Sequence, residues 1–411
     1  MPAAQSIPAD LVTPLGAYLR LRGESAGSFL LESVERGRLG RSSFVGSGSR
    51  LVDIDEAERL DAPVVGYLAY DHAAKLEPSV PLPELGGMLP ESRFVVAETL
   101  VRFDHGAGVA EVLAGDPADV AERLARPLPK TPEASAGTNG PLHRFPSRER
   151  YEENVRRCQE HIKAGDAYQI VPSQRAERPT SASPLSLYRA LRRVNPSPYL
   201  FLLELGDLAL VGSSPERLVA CEDGRASVCP IAGTTTPDEG DADRLLSSAK
   251  DRAEHVMLVD LGRNDLSRVC RAGTVRVVRS FEVERFSHVS HLVSEVVGEL
   301  RAGVTPFEVL RACFPAGTVT GAPKIRAMQI ISELEGYRRG PYAGAVGYVL
   351  PDGTMDTCIA LRTIVVSGGV AHLQAGAGVV ADSEPASEHR ECLAKLAALE
   401  AAIELAEEEY A

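Results

Sequence analysis

Several features that mark particular protein classes are missing from this sequence of 411 residues. No apolar run approaches the roughly 18 residues that a membrane-spanning helix needs, so we expect no membrane partner. The start, MPAAQSIPADLVTPLG, has neither a basic segment nor an apolar core, so we expect no secretory signal peptide. Acidic residues outnumber basic ones, 57 to 44, which argues against a general nucleic-acid binder.

Cysteine and nucleotide-binding motifs are also missing. The seven cysteines are scattered, are odd in number and form no CxxC pair. We therefore expect reduced thiols in a cytoplasmic protein, rather than disulfides or a zinc site. The glycine-rich stretches PIAGTTT (230–236), FPAGTVTGAPK (314–324) and QAGAGVV (374–380) lack the GxxxxGK[ST] spacing of a Walker loop. Glycine allows backbone N–H groups to approach a carboxylate, although a single glycine more often marks a turn.

What the chain contains is typical of a folded protein, with 44% hydrophobic and 25% charged residues. Strand-like hairpins and helices interleave without a regular βαβ repeat, which predicts an α+β fold with antiparallel sheets. A stretch rich in Pro, Gly, Ser and Thr, 127–147, is expected to be a linker or surface crossing. We divide the chain into an N-terminal region, 1–140, and a larger region, 141–411. Helices are predicted after Ser147, ending near Gly165, and over 241–261, 305–313, 324–335 and 385–409.

Two of these helices carry acidic residues three positions apart, which places each pair on one helix face. The pairs are Asp251 with Glu254 and Glu388 with Glu391. Two such helices could hold a hard divalent cation such as Mg²⁺ and leave room for substrate oxygens. Judged from spacing alone, solvated charges with partners such as Glu391 and Lys395 are the more common arrangement.

Polar residues also stand within or beside apolar strands: Gln169, Glu216, His291, Tyr348 and Arg362. A lone arginine between leucine and isoleucine residues is costly to bury unless an anion meets it. Alternation turns half of all strand residues toward solvent, so each of these side chains taken alone is more often structural than functional.

A series of short motifs resembles the chorismate-utilising enzymes, and within them the large subunits of anthranilate synthases. The motifs are, in order, LLES (30–33), NPSPYLF (195–201), SSPERLV (213–219), PIAGT (230–234), RAEHVMLVDLGRND (252–265), VSHLVS (289–294), FPAGTVTGAPK (314–324), GAVGY (344–348), ALRT (360–363), GAGVVADS (376–383) and SEHRECLAK (387–395). They cover nearly all of 145–411 and the N-terminal third more thinly. The resemblance implies two antiparallel sheets packed face to face, with the active site between flanking helices.

The resemblance also implies roles for individual residues. Glu254 and Glu391 are expected to ligate Mg²⁺, with Asp251 and Glu388 close by. The expected catalytic residues are Glu216, the general acid for the departing C4 hydroxyl of chorismate, His291, which assists proton transfer, Gln169 and Thr234. The expected substrate-binding residues are Ala232, Gly233, Tyr348, Arg362, Ala375, Gly376, Gly378 and Lys395, with Arg362 on the enolpyruvyl carboxylate.

Two lysines that distinguish related enzymes are absent. Isochorismate and salicylate synthases have a water-activating lysine where Gln169 stands, and aminodeoxychorismate synthases typically have a nucleophilic lysine where Ala232 stands. Ammonia needs neither lysine. The resemblance therefore implies amination of chorismate at C2 and elimination of pyruvate, which gives anthranilate for tryptophan biosynthesis. Ammonia is expected from a glutamine amidotransferase subunit, because no separate glutaminase domain is recognisable in this chain.

The LLES and NPSPYLF motifs resemble the tryptophan feedback site of the family, so L-tryptophan is the expected inhibitor. Its expected contacts are Leu31, Glu32, Ser33, Asn195, Pro196, Tyr199 and Phe201. The expected assembly is a homodimer or a heterotetramer with the amidotransferase.

Three alternatives stay open. They are amination without elimination, which gives 2-amino-2-deoxyisochorismate, an aminodeoxychorismate synthase, and a non-catalytic regulatory subunit. The chain departs from the family at Thr235, where arginine is usual, and at Pro172, where leucine is usual.

Overall fold

The computed structural model describes residues 5–33, 42–129, 138–235, 238, 240–285 and 290–410. The helices found there are α1 (Pro14–Leu21), α2 (Ile54–Ala57), α3 (Ala73–Leu76), α4 (Pro117–Ala125), α5 (Arg148–Lys163), α6 (Pro184–Val194), α7 (Asp241–Ser247), α8 (Ala249–Ser267), α9 (Pro306–Cys313), α10 (Lys324–Glu335) and α11 (Pro385–Glu409). Short 3₁₀ turns cover Tyr70–His72 and Gly317–Val319.

The strands before residue 150 are β1 (Gln5–Pro8), β2 (Gly27–Glu32), β3 (Ser42–Gly48), β4 (Arg50–Val52), β5 (Val64–Leu68), β6 (Ser92–Val96), β7 (Thr99–Asp104), β8 (Val109–Ala114) and β9 (His143–Phe145). Those after it are β10 (Gln169–Ile170), β11 (Ser173–Pro179), β12 (Tyr199–Leu205), β13 (Leu208–Ser214), β14 (Arg217–Glu222), β15 (Arg225–Val228), β16 (Ile231–Thr235), β17 (Arg276–Arg285), β18 (Ser290–Glu299), β19 (Gly321–Ala322), β20 (Ala345–Val349), β21 (Met355–Ile359), β22 (Thr363–Ser367) and β23 (Val370–Gly376).

Two large antiparallel sheets form the body of the protein. The first has eleven strands in the order β1-β8-β7-β3-β2-β12-β13-β22-β23-β11-β9. The second has ten, in the order β16-β18-β15-β14-β21-β20-β5-β6-β4, with β17 also paired to β18. Strands β10 and β19 form a separate two-stranded pair. Both large sheets combine strands from before and after residue 140.

The alternation of side chains along β12 explains how the sheets pack. Leu200 and Leu202 lie in a core cluster with residues of α6 and α11, whereas Phe201 and Leu203 lie in a cluster shared with Tyr67 and other residues of the second sheet. A further cluster covers the outer face of the second sheet with α8, α9 and α10. The predicted α+β fold, with two sheets packed face to face between flanking helices, is confirmed.

One local prediction was wrong. The helix predicted over 241–261 is two helices, because Ser248 has an extended backbone and its Oγ accepts a hydrogen bond from the Asp251 N–H at 3.2 Å. That contact caps α8 at its start. The segment 127–147, predicted to be a linker or surface crossing, contains the short exposed strand β9, which pairs with β11. Part of that linker, 130–137, lies outside the described residues.

All seven cysteines are free thiols in this structure. Across the ranges given above, no helix is both long enough and apolar enough to cross a bilayer.

Candidate active site

Glu216 lies where the chain passes from the first sheet to the second, between β13 and β14. Its N–H donates to the Ser214 Oγ at 3.3 Å, and its carbonyl oxygen accepts from the Ile359 N–H at 3.0 Å. The backbone is therefore held on both sides of the crossing. A carboxyl group fixed at such a junction can face a substrate without depending on a loop.

The surroundings of Glu216 favour its protonated form. Burial raises the pKa of Glu216 to about 8, while the neighbouring Thr318 hydroxyl and the positive charge of Lys395 oppose the rise. Removal from water disfavours a charged carboxylate more than these two groups stabilise it. Glu216 therefore keeps its proton at neutral pH, which a general acid must do.

His291 stands on β18 beside β16. Its Nδ1 donates to the Gly233 carbonyl oxygen at 2.7 Å, which fixes the proton of the neutral ring on Nδ1. Burial lowers the pKa of His291, and the positive charge of Arg362 lowers it further. The neutral ring then carries its lone pair on Nε2. This arrangement suits a group that accepts a proton.

Gln169 contacts both α8, the helix that carries Asp251 and Glu254, and the glycine segment 376–378. Its Nε2 donates to Glu254 Oε1 at 3.2 Å. A Cβ atom at Gly378 would lie only 2.7 Å from the same Nε2, so a side chain at this position would displace the Gln169 amide. Glu254 of α8 and Gly378 therefore meet at Gln169.

Helix α11, which carries Glu388 and Glu391, contacts the same segment from the other side. The Lys395 Nζ donates to the Gly376 carbonyl oxygen at 2.8 Å and pairs with Glu391 Oε1 at 2.7 Å. A Cβ atom at Gly376 would lie 2.9 Å from the Tyr342 hydroxyl. Segment 376–378 thus has one predicted metal ligand on each side.

The chemistry of these carboxylates fits Mg²⁺. In the part of the chain described, no three His, Cys, Asp or Glu side chains are already gathered as a metal cluster. Mg²⁺ does not need one, because it usually takes one or two carboxylates and completes its shell with water and substrate oxygens. Asp251 lies beside Gly233, and Glu388 is close enough to act on the ionisation of Cys392. Both remain near the site.

Tyr348 is not with the other predicted substrate residues, and that prediction was wrong. In β20, Val346 and Tyr348 face the layer between the sheets, where the Tyr348 ring packs on Phe44 with ring centres 4.3 Å apart. Tyr342, which we did not single out from the sequence, is the tyrosine at Gly376. It precedes β20, so strand periodicity gave no signal for it.

Three other residues that were predicted to belong to the site, Ala375, Ala232 and Thr234, differ in which of their atoms could contact a ligand. The Ala375 methyl packs in the core with residues of α11, so only its main chain could face a ligand. Ala232 is buried and pairs with Leu292. Thr234 lies in β16, but its side chain is outside the described part of the structure.

Arg362 occupies the turn that carries the chain from β21 to β22, with a φ of 47° in the left-handed region. Its Nη1 reaches the Asn195 Oδ1 and the Ser197 Oγ, each at 3.4 Å. Burial lowers the pKa of Arg362, and no charge of the described chain is found to counter that shift. A partly buried guanidinium whose acceptors among the described residues are neutral is suited to receive an anion.

The predicted effector residues lie on paired strands. Leu31 on β2 is directly opposite Phe201 on β12. Glu32 is buried, accepts a hydrogen bond from the Tyr188 hydroxyl and pairs with Arg192 at 3.5 Å. The Ser33 Oγ is buried and has no hydrogen-bond partner among the described residues. Pro196 is exposed.

Tyr199, the remaining effector residue, belongs to a charged cluster between the sheets. Its hydroxyl accepts from the Arg217 Nε at 2.8 Å, and Arg217 pairs with Asp356 at 3.1 Å. Both charges also act on Tyr348. The structure therefore groups Tyr348 with the effector residues rather than with the substrate residues.

The departure at Thr235 brings in an arginine from elsewhere in the chain. Arg244 of α7 donates to the Thr235 Oγ1 from Nε at 3.3 Å and from Nη2 at 3.2 Å. A guanidinium therefore lies at the strand position where the family usually has arginine, although it comes from a different element.

Comparison with known proteins gives the family. The model of the chorismate binding enzyme family matches residues 29–401. The chain belongs to the chorismate binding enzyme family. The recognised motifs are thus confirmed as those of a chorismate-utilising enzyme.

Among its curated relatives in this family, anthranilate synthase component 1 of Thermus thermophilus is 45% identical, over 99% of this chain and 98% of the relative. A solved structure of anthranilate synthase component I from Streptococcus pneumoniae superposes with a TM-score of 0.78 at 33% identity, covering 97% of this chain and 100% of the other. The menaquinone-specific isochorismate synthase MenF of Escherichia coli superposes with a TM-score of 0.76 at 22% identity, covering 98% and 95%, which shows a shared fold alone.

Proposed function

We propose that this chain is the chorismate-converting subunit of an anthranilate synthase. The observation that carries the proposal is the position of Glu216 at the crossing between the sheets, where desolvation raises its pKa to about 8, in a site without a lysine at positions 169 and 232. A protonated acid can help the C4 hydroxyl leave, but the Gln169 amide cannot activate water and Ala232 offers no nucleophile. Ammonia is then the fitting nucleophile. Relatives named anthranilate synthase component 1 support the same reaction.

Each step has a residue suited to it. The Arg362 guanidinium receives the enolpyruvyl carboxylate in place of Asn195 and Ser197, and main-chain groups of 376–378 approach the other carboxylate. Ammonia adds at C2 while Glu216 gives its proton to the departing C4 hydroxyl, which leaves as water. His291 then accepts the C2 proton as pyruvate is eliminated, because its neutral ring has a lone pair on Nε2.

Glu254 and Glu391 are the residues that would hold Mg²⁺, with Asp251 and Glu388 nearby. When bound, the ion would neutralise the ring carboxylate and polarise the conjugated system. Gln169 donates to Glu254, and Lys395 pairs with Glu391, so each glutamate already has a neighbour that orients it.

The ammonia source is proposed to be a separate glutamine amidotransferase subunit. The test is incubation of the purified chain with chorismate, Mg²⁺ and an ammonium salt, with products identified by mass spectrometry and anthranilate fluorescence. We expect anthranilate and pyruvate from ammonia, increasing with the free-base concentration, and none from glutamine. Glutamine-dependent product from the chain alone would overturn the partner proposal, and isochorismate as product would overturn the amination.

The second candidate is amination without pyruvate elimination. It is favoured by one observation, the threonine at position 235 with an arginine supplied from α7 instead of from the strand. The same assay distinguishes the two, because 2-amino-2-deoxyisochorismate retains the enolpyruvyl group and lacks the fluorescence of an aromatic product.

We also propose that L-tryptophan inhibits the enzyme through the segments around Ser33 and Asn195. A buried Ser33 hydroxyl without a partner is available to a polar ligand. Asn195 and Ser197 touch Arg362, the residue proposed to bind substrate, so a ligand at these segments can alter the substrate site. Inhibition requires that tryptophan bind the less active arrangement more tightly.

A further inference from the structure

A small cavity behind Glu216 connects the proposed acid to a second ionisable pair. The cavity has a volume of about 50 Å³ and is lined by Glu216, Thr318 and Asp265, together with apolar residues of α8 such as Leu258 and Leu261. This volume has room for one or two water molecules. Its lining includes the polar groups of Glu216, Thr318 and Asp265, which can form hydrogen bonds to water.

Thr318 provides a second observation. Its Oγ1 is buried and lies near enough to the Glu216 carboxyl to lower the pKa of that group, but within the described chain the contact lacks the geometry of a hydrogen bond. A buried hydroxyl normally has a partner, often an ordered water. Thr318 can therefore hold a water against the Glu216 carboxyl.

Asp265 also lines the cavity. Its carboxylate accepts from the Lys324 Nζ at 2.8 Å, and the two side chains retain 14% and 12% of their exposure. The pair is thus mostly buried but still reaches solvent. Burial raises the pKa of Asp265, while Lys324 and Arg268 oppose the rise.

Lys395 is the charged group facing Glu216 from α11, and Arg217, Cys229 and Cys313 complete the titratable lining.

We propose that water in this cavity links Glu216 to the Asp265–Lys324 pair and that the pair returns a proton to Glu216 after each turnover. The inference rests on the proposed function of Glu216 as acid. Glu216 is left ionised when the C4–O bond breaks and water departs. A proton then passes from the cavity water to Glu216, another passes from the pair to that water, and the pair regains one from solvent. The ammonium formed at C2 releases one proton to solvent, which equals the one proton that the pair takes from solvent in each turnover.

The test replaces Asp265 with asparagine, which keeps an oxygen for Lys324 and removes the ionisable group. We expect kcat to fall by about tenfold or more, to rise again with increasing concentration of a small weak acid, and to show a larger solvent deuterium isotope effect. Asp260→Asn is the matched control, because Asp260 lies on the same helix, with an exposed side chain paired to Arg263. It should behave as wild type.

The following results would overturn the proposed proton relay or the proposed acid. Wild-type kcat in Asp265→Asn would overturn the relay, and so would a fall in kcat that no weak acid restores. If Asp265→Asn does not fold, Thr318→Val and Thr318→Ser replace it, with a deficit restored by weak acid expected only for the valine variant. Equal activity of those two would overturn the relay. Full activity of Glu216→Gln would instead contradict the proposed acid, so failure of the two ideas can be told apart.

Discussion

At the scale of single residues, the protonation of Glu216 should make kcat depend on pH. Because burial raises the pKa of Glu216 to about 8, we expect kcat to stay level near neutrality and to decrease tenfold per pH unit above about 8, at constant free ammonia. Glu216→Gln should be nearly inactive, whereas Glu222→Gln, an exposed position on β14, should be normal. An unchanged profile in Glu216→Gln would contradict the assignment.

The same shift has a consequence for stability. Between about pH 4.5 and pH 8 the folded chain keeps a proton on Glu216 that the unfolded chain loses, so the free energy of unfolding must fall as pH rises through this range. Glu216→Gln should remove this part of the slope, which melting temperatures across the range would measure. An identical slope in the variant would show that Glu216 titrates normally in the folded chain.

The two predicted metal ligands can be tested against the simpler possibility of helix salt bridges. Glu254→Gln and Glu391→Gln should each lower activity by at least about 100-fold at limiting Mg²⁺, with melting temperatures close to wild type, because each removes a ligating charge. Glu404→Gln, exposed on α11, is the control. Normal activity at limiting Mg²⁺, or a melting loss as large as a core truncation, would favour salt bridges instead.

Resemblance to the family motifs, rather than local chemistry, singled out several of the expected site residues. Glu216, Gln169, Glu254, Lys395 and Gly378 were all identified by motif, and the fold brings them around one glycine segment. Tyr342 and Thr318 were not identified, because neither interrupts a periodic pattern and their neighbours come from distant segments. Tyr348 was misassigned because strand alternation, which turns it toward Phe44, depends on a register that the sequence does not give.

At the scale of elements, the contact between Asn195 and Arg362 predicts how regulation reaches the substrate. Asn195→Ala removes one acceptor of Arg362, so we expect altered chorismate KM together with tryptophan inhibition weakened by about 5–150-fold. Ser33→Phe should relieve inhibition with little loss of activity, since it fills the space of the effector. Calorimetry and inhibition assays would measure both effects.

Asn264→Ala, an exposed position on α8, serves as the control for these variants. If calorimetry detects no tryptophan binding at millimolar concentration, the regulatory proposal fails. That result would also increase the weight of the amination-only candidate.

Element boundaries depended on single polar residues. The break between α7 and α8 follows from one Ser248 side chain, which the apolar pattern of 241–261 does not signal. Helix α9 begins where predicted because Thr305 and Glu308 form a reciprocal capping box, a signal that is local in sequence. A capping box can thus be recognised in the sequence, whereas a cap inside a continuous helical pattern cannot.

At the scale of the whole molecule, the N-terminal region is part of both sheets. Strand β2 pairs with β12 in the first sheet, and β5 pairs with β20 in the second. Removal of 1–140 would expose two central strand edges and open two core clusters, so we expect the remainder to be unfolded or aggregated. Circular dichroism and a melting curve would test this, and a cooperative transition in the fragment would contradict it.

We expect one catalytic centre at segment 376–378, between the acidic residues of α8 and α11. The most direct measurement is a crystal structure of the chain grown with Mn²⁺ in place of Mg²⁺, with the ion located by its anomalous scattering. The account predicts an anomalous peak in contact with both Glu254 and Glu391, beside Gln169 and Gly378. A peak elsewhere, or none at these glutamates at saturating Mn²⁺, would contradict it.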